Sequence, residues 1–245
     1  MQTIEQINGD LKRIWEEHIP AGSNAYSPMQ YRKPKRGALV FVGLNPSFSP
    51  TGWRSLLKHS DTPDLDPHSF FSWPSPQNFD VELVHRLEAE AEDRYSFFAP
   101  HRKLAGELKC DWVHLDLFAY RVTEQAKLKA RVLASANDIA LNEFGIAQFK
   151  VFSDLLALSE PSAVVVINAL ASQIYASQRK PAFEMDTGYY LDSTNGHAFP
   201  VFFSGMLTGA RALDRFSRER LYWHVCKTLR NAQSLEPPRP PAVAI

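Results

Sequence analysis

The stretch Ala38-Leu-Val-Phe-Val-Gly-Leu-Asn-Pro-Ser47 decides how this chain is read. Five apolar residues rich in strand formers run from Ala38 to Val42 and then meet Gly43-Leu-Asn-Pro-Ser47. A short apolar run bounded by a turn predicts a strand buried on both faces, as in a parallel sheet covered by helices. The polar residues then fall at the strand's carboxyl end, where open α/β sheets collect their ligands. Gly43 permits close backbone approach, Asn45 brings an amide that both donates and accepts, and Pro46 fixes the direction of the chain. Asn-Pro is also an ordinary turn initiator, so the rest of the chain has to support a site here.

Outward from this strand, Ile4, Ile7, Leu11, Ile14 and Trp15 predict an amphipathic helix over roughly Thr3 to His18, stopped by Pro20. The basic connector Tyr31-Arg-Lys-Pro-Lys-Arg36 leads into the strand. A long loop is expected from Leu44 to about Asn78, punctuated by Pro50, Pro63, Pro67, Pro74 and Pro76, with aromatic residues that must pack on something. Helices follow at Val81 to Arg94 and about Arg102 to Leu108, then a second strand at Trp112 to Phe118 with Val113, Leu115 and Leu117 alternating. A helix at about Asn137 to Leu158 precedes a third strand, Ala163 to Asn168, and another helix starts near Ala169. Asn195-Gly196 predicts a hairpin turn between Tyr189–Asp192 and His197–Phe203. The last helix is expected from about Ala212 to Asn231, and the Pro-rich remainder cannot be helix or central strand.

Strands alternating with helices predict an α/β fold, a three-layer α/β/α sandwich around a central four-stranded, mostly parallel sheet. The four strands are Ala38–Gly43, Trp112–Phe118, Ala163–Asn168 and Pro200–Phe203. The expected organisation is an N-terminal helix and basic connector over 1–36, one α/β domain over 37–231 and a flexible tail over 232–245.

Among 245 residues no apolar run reaches the ~20 needed to span a bilayer, so no membrane partner is expected. Two well-separated cysteines, Cys110 and Cys226, make a reduced, cytoplasmic setting the simplest reading, a pairing of the two being the alternative, and exclude a four-cysteine zinc or iron–sulfur site. The net charge is zero, which counts mildly against nucleic acid, yet the charge is unevenly placed. Met206 to Asn231 carries Arg211, Arg215, Arg218, Arg220, Lys227 and Arg230 against Asp214 and Glu219, whereas Asp80 to Arg94 is acidic. A bipolar molecule can present one face to phosphates, and two solvated helix faces of opposite sign give the same pattern.

Three points in order along the chain carry a resemblance. These are the Gly43-Leu-Asn-Pro-Ser47 turn, the strand-to-helix unit Val164-Val-Val-Ile-Asn-Ala-Leu-Ala-Ser172, and a last strand emptying into Ser204-Gly-Met-Leu-Thr-Gly209. Together they resemble the uracil-DNA glycosylase superfamily, whose mismatch-specific and single-strand-selective branches carry a Gly-x-Asn-Pro-Gly turn. The resemblance implies a central parallel sheet with motifs at its strand ends, and removal of a deaminated or modified base from DNA. It implies no metal and no organic cofactor.

Such chemistry flips the base into a pocket, meets the departing anion with fixed donors and holds the attacking water. The resemblance assigns the water to Asn45, with Ser204 as a further catalytic candidate and Gly43, Leu44, Asp116 and Asn168 around the base. Phe48, Phe70 or Phe71 would stack on the base, or simply pack in a core. Met206 and Leu207 would face the minor groove, or simply pack under their loop, with Thr208 as a hydrogen-bond donor and Arg211 and Arg215 on phosphates of single- or double-stranded DNA. A monomer is expected.

Two departures stand out. Many relatives begin the last motif His-Pro-Ser, but Phe203-Ser-Gly-Met-Leu-Thr-Gly209 has no histidine. Asp116 stands where relatives often carry an amide that reads a base edge, and a carboxylate only accepts unless protonated. Two alternatives therefore stay open: a non-catalytic nucleic-acid- or nucleotide-binding relative that kept the pocket, and a small-molecule enzyme on the same sheet. Asp61, Asp64, Asp66 and His68 supply hard ligands, but Pro63 and Pro67 point them apart, so a solvated loop is expected there.

Overall fold

Strand β1 (Leu39–Gly43) is buried at every position and lies inside the sheet, parallel to β2 (Trp112–Asp116) on one side and β3 (Ala163–Val166) on the other. In register, Gly43 faces Asp116, Phe41 faces both His114 and Val165, and Val42 faces Val166. The computed structural model describes residues 2–58, 60–77, 79–135 and 138–235. Among them the chain forms an α/β fold with a six-stranded mixed sheet in the order β2-β1-β3-β6-β5-β4.

β6 (His197–Phe203) runs parallel to β3, so the four expected strands are neighbours and parallel. The four-stranded expectation is corrected by the hairpin. β5 (Tyr189–Thr194) pairs antiparallel with β6, and a short strand, β4 (Ala182–Glu184), pairs antiparallel with β5. Asn195 and Gly196 both take positive φ, 50° and 80°, as a two-residue hairpin turn requires. The hairpin is tied down by Asp192, which accepts from Tyr175 Oη at 2.7 Å and from Arg179 Nε at 2.9 Å.

Helices cover both faces. α1 (Ile4–His18), α7 (Glu143–Ser159) and α8 (Ala169–Arg179) pack with Val40, Val42, Val164, Val166 and Val201 in one core. The expected N-terminal segment is therefore part of the main core, through Ile7, Leu11 and Trp15. α1 begins at a capping box made by Thr3 and Gln6, worth about 1 kcal/mol. On the opposite face, α5 (Ala99–Leu108) and α9 (Arg215–Leu235) pack on Leu39, Phe41, Val165 and Phe202.

The long loop expected from Leu44 to Asn78 is partly helical. α2 (Pro50–Leu57) and α3 (Pro67–Phe70) each place a proline in the first helical turn behind a side-chain cap, Ser49 or Asp66. Proline is at home there because its missing N–H would find no partner in the helix anyway. With α4 (Val81–Arg94) these helices close a third core around Trp53, Phe70, Phe71 and Leu87. A helix unforeseen in the sequence, α6 (Gln125–Val132), follows β2. α7 starts behind the Asn142 cap, later than expected; Asn137 itself lies outside the described residues. α9 starts three residues after the expected point and continues to Leu235, while 236–245 of the expected tail lie outside the described residues.

Candidate functional site

The strand order leaves a crevice beyond the carboxyl ends of β1 and β2, and a cavity of about 630 Å³ occupies it. The turn Gly43–Ser47 lines one side. His114 and Asp116 from β2, Arg121 to Thr123 from the loop after it, and Glu88, Ala91 and Glu92 from α4 line others. Tyr31, Trp53, Tyr95, Phe97 and Phe98 supply rings, and Asn168, Met206 and Arg211 complete the lining. A neighbouring cavity of about 450 Å³ under the basic connector shares Tyr31, Glu88 and His114 with it.

The Asn45 amide is fixed by its surroundings. Its Nδ2 donates to the backbone oxygens of Val122 at 2.7 Å, Tyr120 at 3.1 Å and Pro46 at 3.2 Å. Those acceptors define which end of the amide is nitrogen, leaving Oδ1, an acceptor, as the end without a bond among the described residues. The same bonds fasten the β1 turn to the segment after β2, helped by Leu117 N to Gly43 O and Phe118 N to Leu44 O, both 3.1 Å.

His114 and Asp116 are two residues apart on one strand and so share a face. His114 Nε2 lies 3.3 Å from Asp116 Oδ1, with both side chains nearly buried. Behind them His101 is fully buried, 4.2 Å from the Phe41 ring and 5.5 Å from the His114 ring between centroids. Neither His101 nitrogen makes a well-formed hydrogen bond among the described residues, the Phe97 backbone offering only a weak one. Burial, then the neighbouring His114 and Arg102, pushes its pKa down to about 2, so the ring is held neutral.

Across the cavity, Arg121 Nη2 donates to Glu88 Oε1 at 3.0 Å with the guanidinium almost wholly buried. It also lies 4.9 Å from the Phe71 ring centroid and 5.7 Å from that of Trp53. Burial raises the Glu88 carboxyl above its ordinary range, and Arg121 works against that shift. The Tyr31 phenol is pushed up by burial first, then by the charges of Asp116 and Glu88.

Of the residues singled out in the sequence, Gly43, Leu44, Asn45, Asp116, Asn168, Met206 and Arg211 converge on this cavity. Asn168 also caps α8 through Oδ1 on the amides of Leu170 and Ala171. The three expected stacking rings do not line it: Phe48, Phe70 and Phe71 are buried in the third core, Phe48 stacked on Tyr26 at 3.8 Å. They are large and apolar, and Phe71 packs against both of the others, with ring centroids 5.7 Å from Phe48 and 5.0 Å from Phe70.

Leu207, expected as a wedge, is buried between the sheet and α9. Ser204 spends its hydroxyl on Gly205 O at 3.0 Å, and it and Thr208 stay outside the lining. Arg215 is exposed and held by Glu219 at 2.8 Å. The α9 N-terminus already carries an anion, since Asp214 accepts from the Phe216 and Ser217 amides. Among the described residues no three His, Cys, Asp or Glu side chains gather to hold a metal. Asp66 instead caps α3 and His68 Nδ1 meets the Tyr26 hydroxyl at 2.8 Å.

Sequence reasoning missed His114, Glu88, Arg121 and Tyr31. The signal for His114 was present: if Val113, Leu115 and Leu117 face one side of β2, His114 and Asp116 face the other. Compared with known proteins, the chain matches no family model and no curated protein.

Proposed function

We propose that the chain is a glycosylase-like hydrolase that removes a deaminated or modified base from DNA, holding the base in the cavity at the carboxyl ends of β1 and β2. The observation that carries this reading is Asn45, whose nitrogen is consumed by three carbonyls while its residue lines the cavity. A fixed acceptor of this kind orients a water by accepting a hydrogen bond from it. The water oxygen then bonds to the anomeric carbon, the bond from that carbon to the base nitrogen breaks, and the proton the water loses ends on the base.

The remaining lining suits that charge flow. Asp116 and His114 put a carboxylate and an imidazole on one wall. The carboxylate favours positive charge developing on the sugar, and the His114 ring, its Nε2 at 3.3 Å, holds that carboxylate in place. Trp53, Tyr95, Phe97 and Phe98 offer faces for an unstacked base, and Arg211 stands at the rim for a phosphate.

The test is a panel of single- and double-stranded oligonucleotides carrying uracil, hypoxanthine, xanthine or alkylated bases, read as released base. Release from at least one is expected, falling by roughly 10²-fold or more in Asn45→Ala and Asp116→Asn. Binding of the panel without any release would replace this reading with the non-catalytic one. Neither binding nor release would leave the small-molecule enzyme.

A further inference from the structure

We infer that the outer face of α9 is a stacking platform for single-stranded nucleic acid. The helix turns Tyr222, Val225, Cys226 and Leu229 to the sheet. Its other face carries two of the most exposed apolar side chains of the described residues, Phe216 at 72% and Trp223 at 63%. Arg220, Lys227 and Arg230 stand with them, and the positions 216, 220, 223, 227 and 230 advance by alternating steps of four and three. That spacing aligns them in one stripe along the helix.

The cations of this stripe have no carboxylate partner; Arg220 Nη2 reaches Ser217 Oγ at 3.4 Å and Arg230 Nη2 the Glu107 backbone oxygen at 3.5 Å. Some basic side chains elsewhere on the surface are matched by carboxylates, as in Arg32 with Glu92, Lys35 with Asp111 and Lys150 with Asp154. Arg220, Lys227 and Arg230 enter no ion pair among the described residues. Lys227 Nζ instead sits 4.7 Å from the Trp223 ring centroid, an ammonium against an exposed indole. Aromatic faces interleaved with unpaired cations match the two halves of a nucleotide, π-faced base and phosphate.

The occupant follows from spacing and charge. Seven residues of helix separate the two rings by about 10 Å, against ~3.4 Å between stacked bases of a duplex strand. The rings therefore take bases that are splayed apart, which a duplex does not offer. A second copy of the chain fits poorly, because a two-fold contact would set this cationic stripe against itself. The stripe also starts next to the cavity: Met206 and Arg211 line it, and Leu213 N bonds Met206 O at 2.8 Å just before the helix begins. The path from platform to cavity rests on the base-removal reading, but the platform's affinity does not.

The experiment measures binding of unmodified, labelled oligothymidylate and oligouridylate by fluorescence anisotropy, with Trp223 emission as a second readout. Binding is expected to quench Trp223 and to weaken roughly tenfold in Trp223→Ala. Lys227→Ala should lower the salt slope by about one unit. Both side chains are exposed, so circular dichroism and melting should be unchanged. Base release from a modified dinucleotide, too short to reach α9, should survive Trp223→Ala. Oligonucleotide binding that persists with no base release on any substrate would sink the glycosylase reading alone. Equal affinity of Trp223→Ala and the parent chain, a preference for duplex, or Trp223-dependent self-association or binding to anionic vesicles in place of oligonucleotide would overturn the platform.

Discussion

The Asp116 carboxylate lies in the space where Gly43 would carry a side chain. A Cβ at Gly43 would collide with Asp116 Oδ1 and come within 2.9 Å of His114 Nε2. The glycine in the turn is thus fixed by its neighbours on β2. Its φ is not in the positive range that demands glycine elsewhere, as at Gly196.

Gly43→Ala tests this directly. The added methyl should displace Asp116 and separate it from His114, costing about 1–3 kcal/mol by overpacking. Base release should fall further than stability, because the displaced groups line the cavity. Unchanged denaturant midpoint and unchanged release would show that the carboxylate moves aside freely.

The Arg121–Glu88 pair gives a pH-dependent prediction. Removing one partner of a buried pair costs about 3–5 kcal/mol, so Arg121→Met should be strongly destabilised near neutrality. Burial already raises the Glu88 pKa, and losing Arg121 raises it more. A raised folded-state carboxyl pKa adds stability below its unfolded value, and that stability is lost as pH rises through the folded one. Arg121→Met should therefore be more stable at pH 5 than at pH 8, and Glu88→Gln in the same chain should remove the difference. Urea titrations at the two pH values decide it.

His101 predicts the opposite slope. Its folded pKa of about 2 lies far below the ordinary histidine value, so the unfolded chain binds its proton first as pH falls. Stability from this group is complete above about 6.5 and declines toward pH 2. His101→Phe fills the same aromatic nest and should abolish about 2 kcal/mol of the loss between pH 7 and pH 5. An identical acid profile in parent and variant would mean that His101 is protonated in the fold.

Asn45→Asp separates positioning from chemistry. A carboxylate keeps the acceptor but confronts three backbone oxygens, so the chain should lose about 1–3 kcal/mol and the turn should shift. Lowering the pH protonates the new side chain and restores one donor, which should recover part of the stability. Thermal melts across pH 4 to 8 read this out. A melting temperature equal to the parent's at neutral pH would mean that the amide does not hold the loop.

The parallel heart of the sheet was readable because β1 and β3 are short, unbroken apolar runs rich in β-branched and aromatic residues and ending in polar turns. The proline-rich segment was misread as loop because proline both breaks helices and starts them, and the caps Ser49 and Asp66 decide which. In the site, Gly43 and Asn45 were visible because they sit at a strand end. Glu88 was not, since in sequence it belongs to an acidic helix that reads as solvated. Only the docking of α4 over the turn, with Arg121 brought in from the end of β2, makes that one carboxylate an inner residue.

The position of β1 has a consequence for how the chain is made. One of its two partners, β3, is synthesised roughly 120 residues later, about 6–24 s at a translation rate of ~5–20 residues per second. Through that interval one edge of a wholly apolar strand waits for its neighbour, with β2 already able to pair on the other. Asn168 and Arg211, which line the cavity with Tyr31, Asn45, Glu88 and Asp116, are also synthesised after β1 and β2. Until then the nascent chain holds only part of the cavity lining. An open apolar edge of this kind is a template for pairing with another chain, and the arrival of β3 closes it.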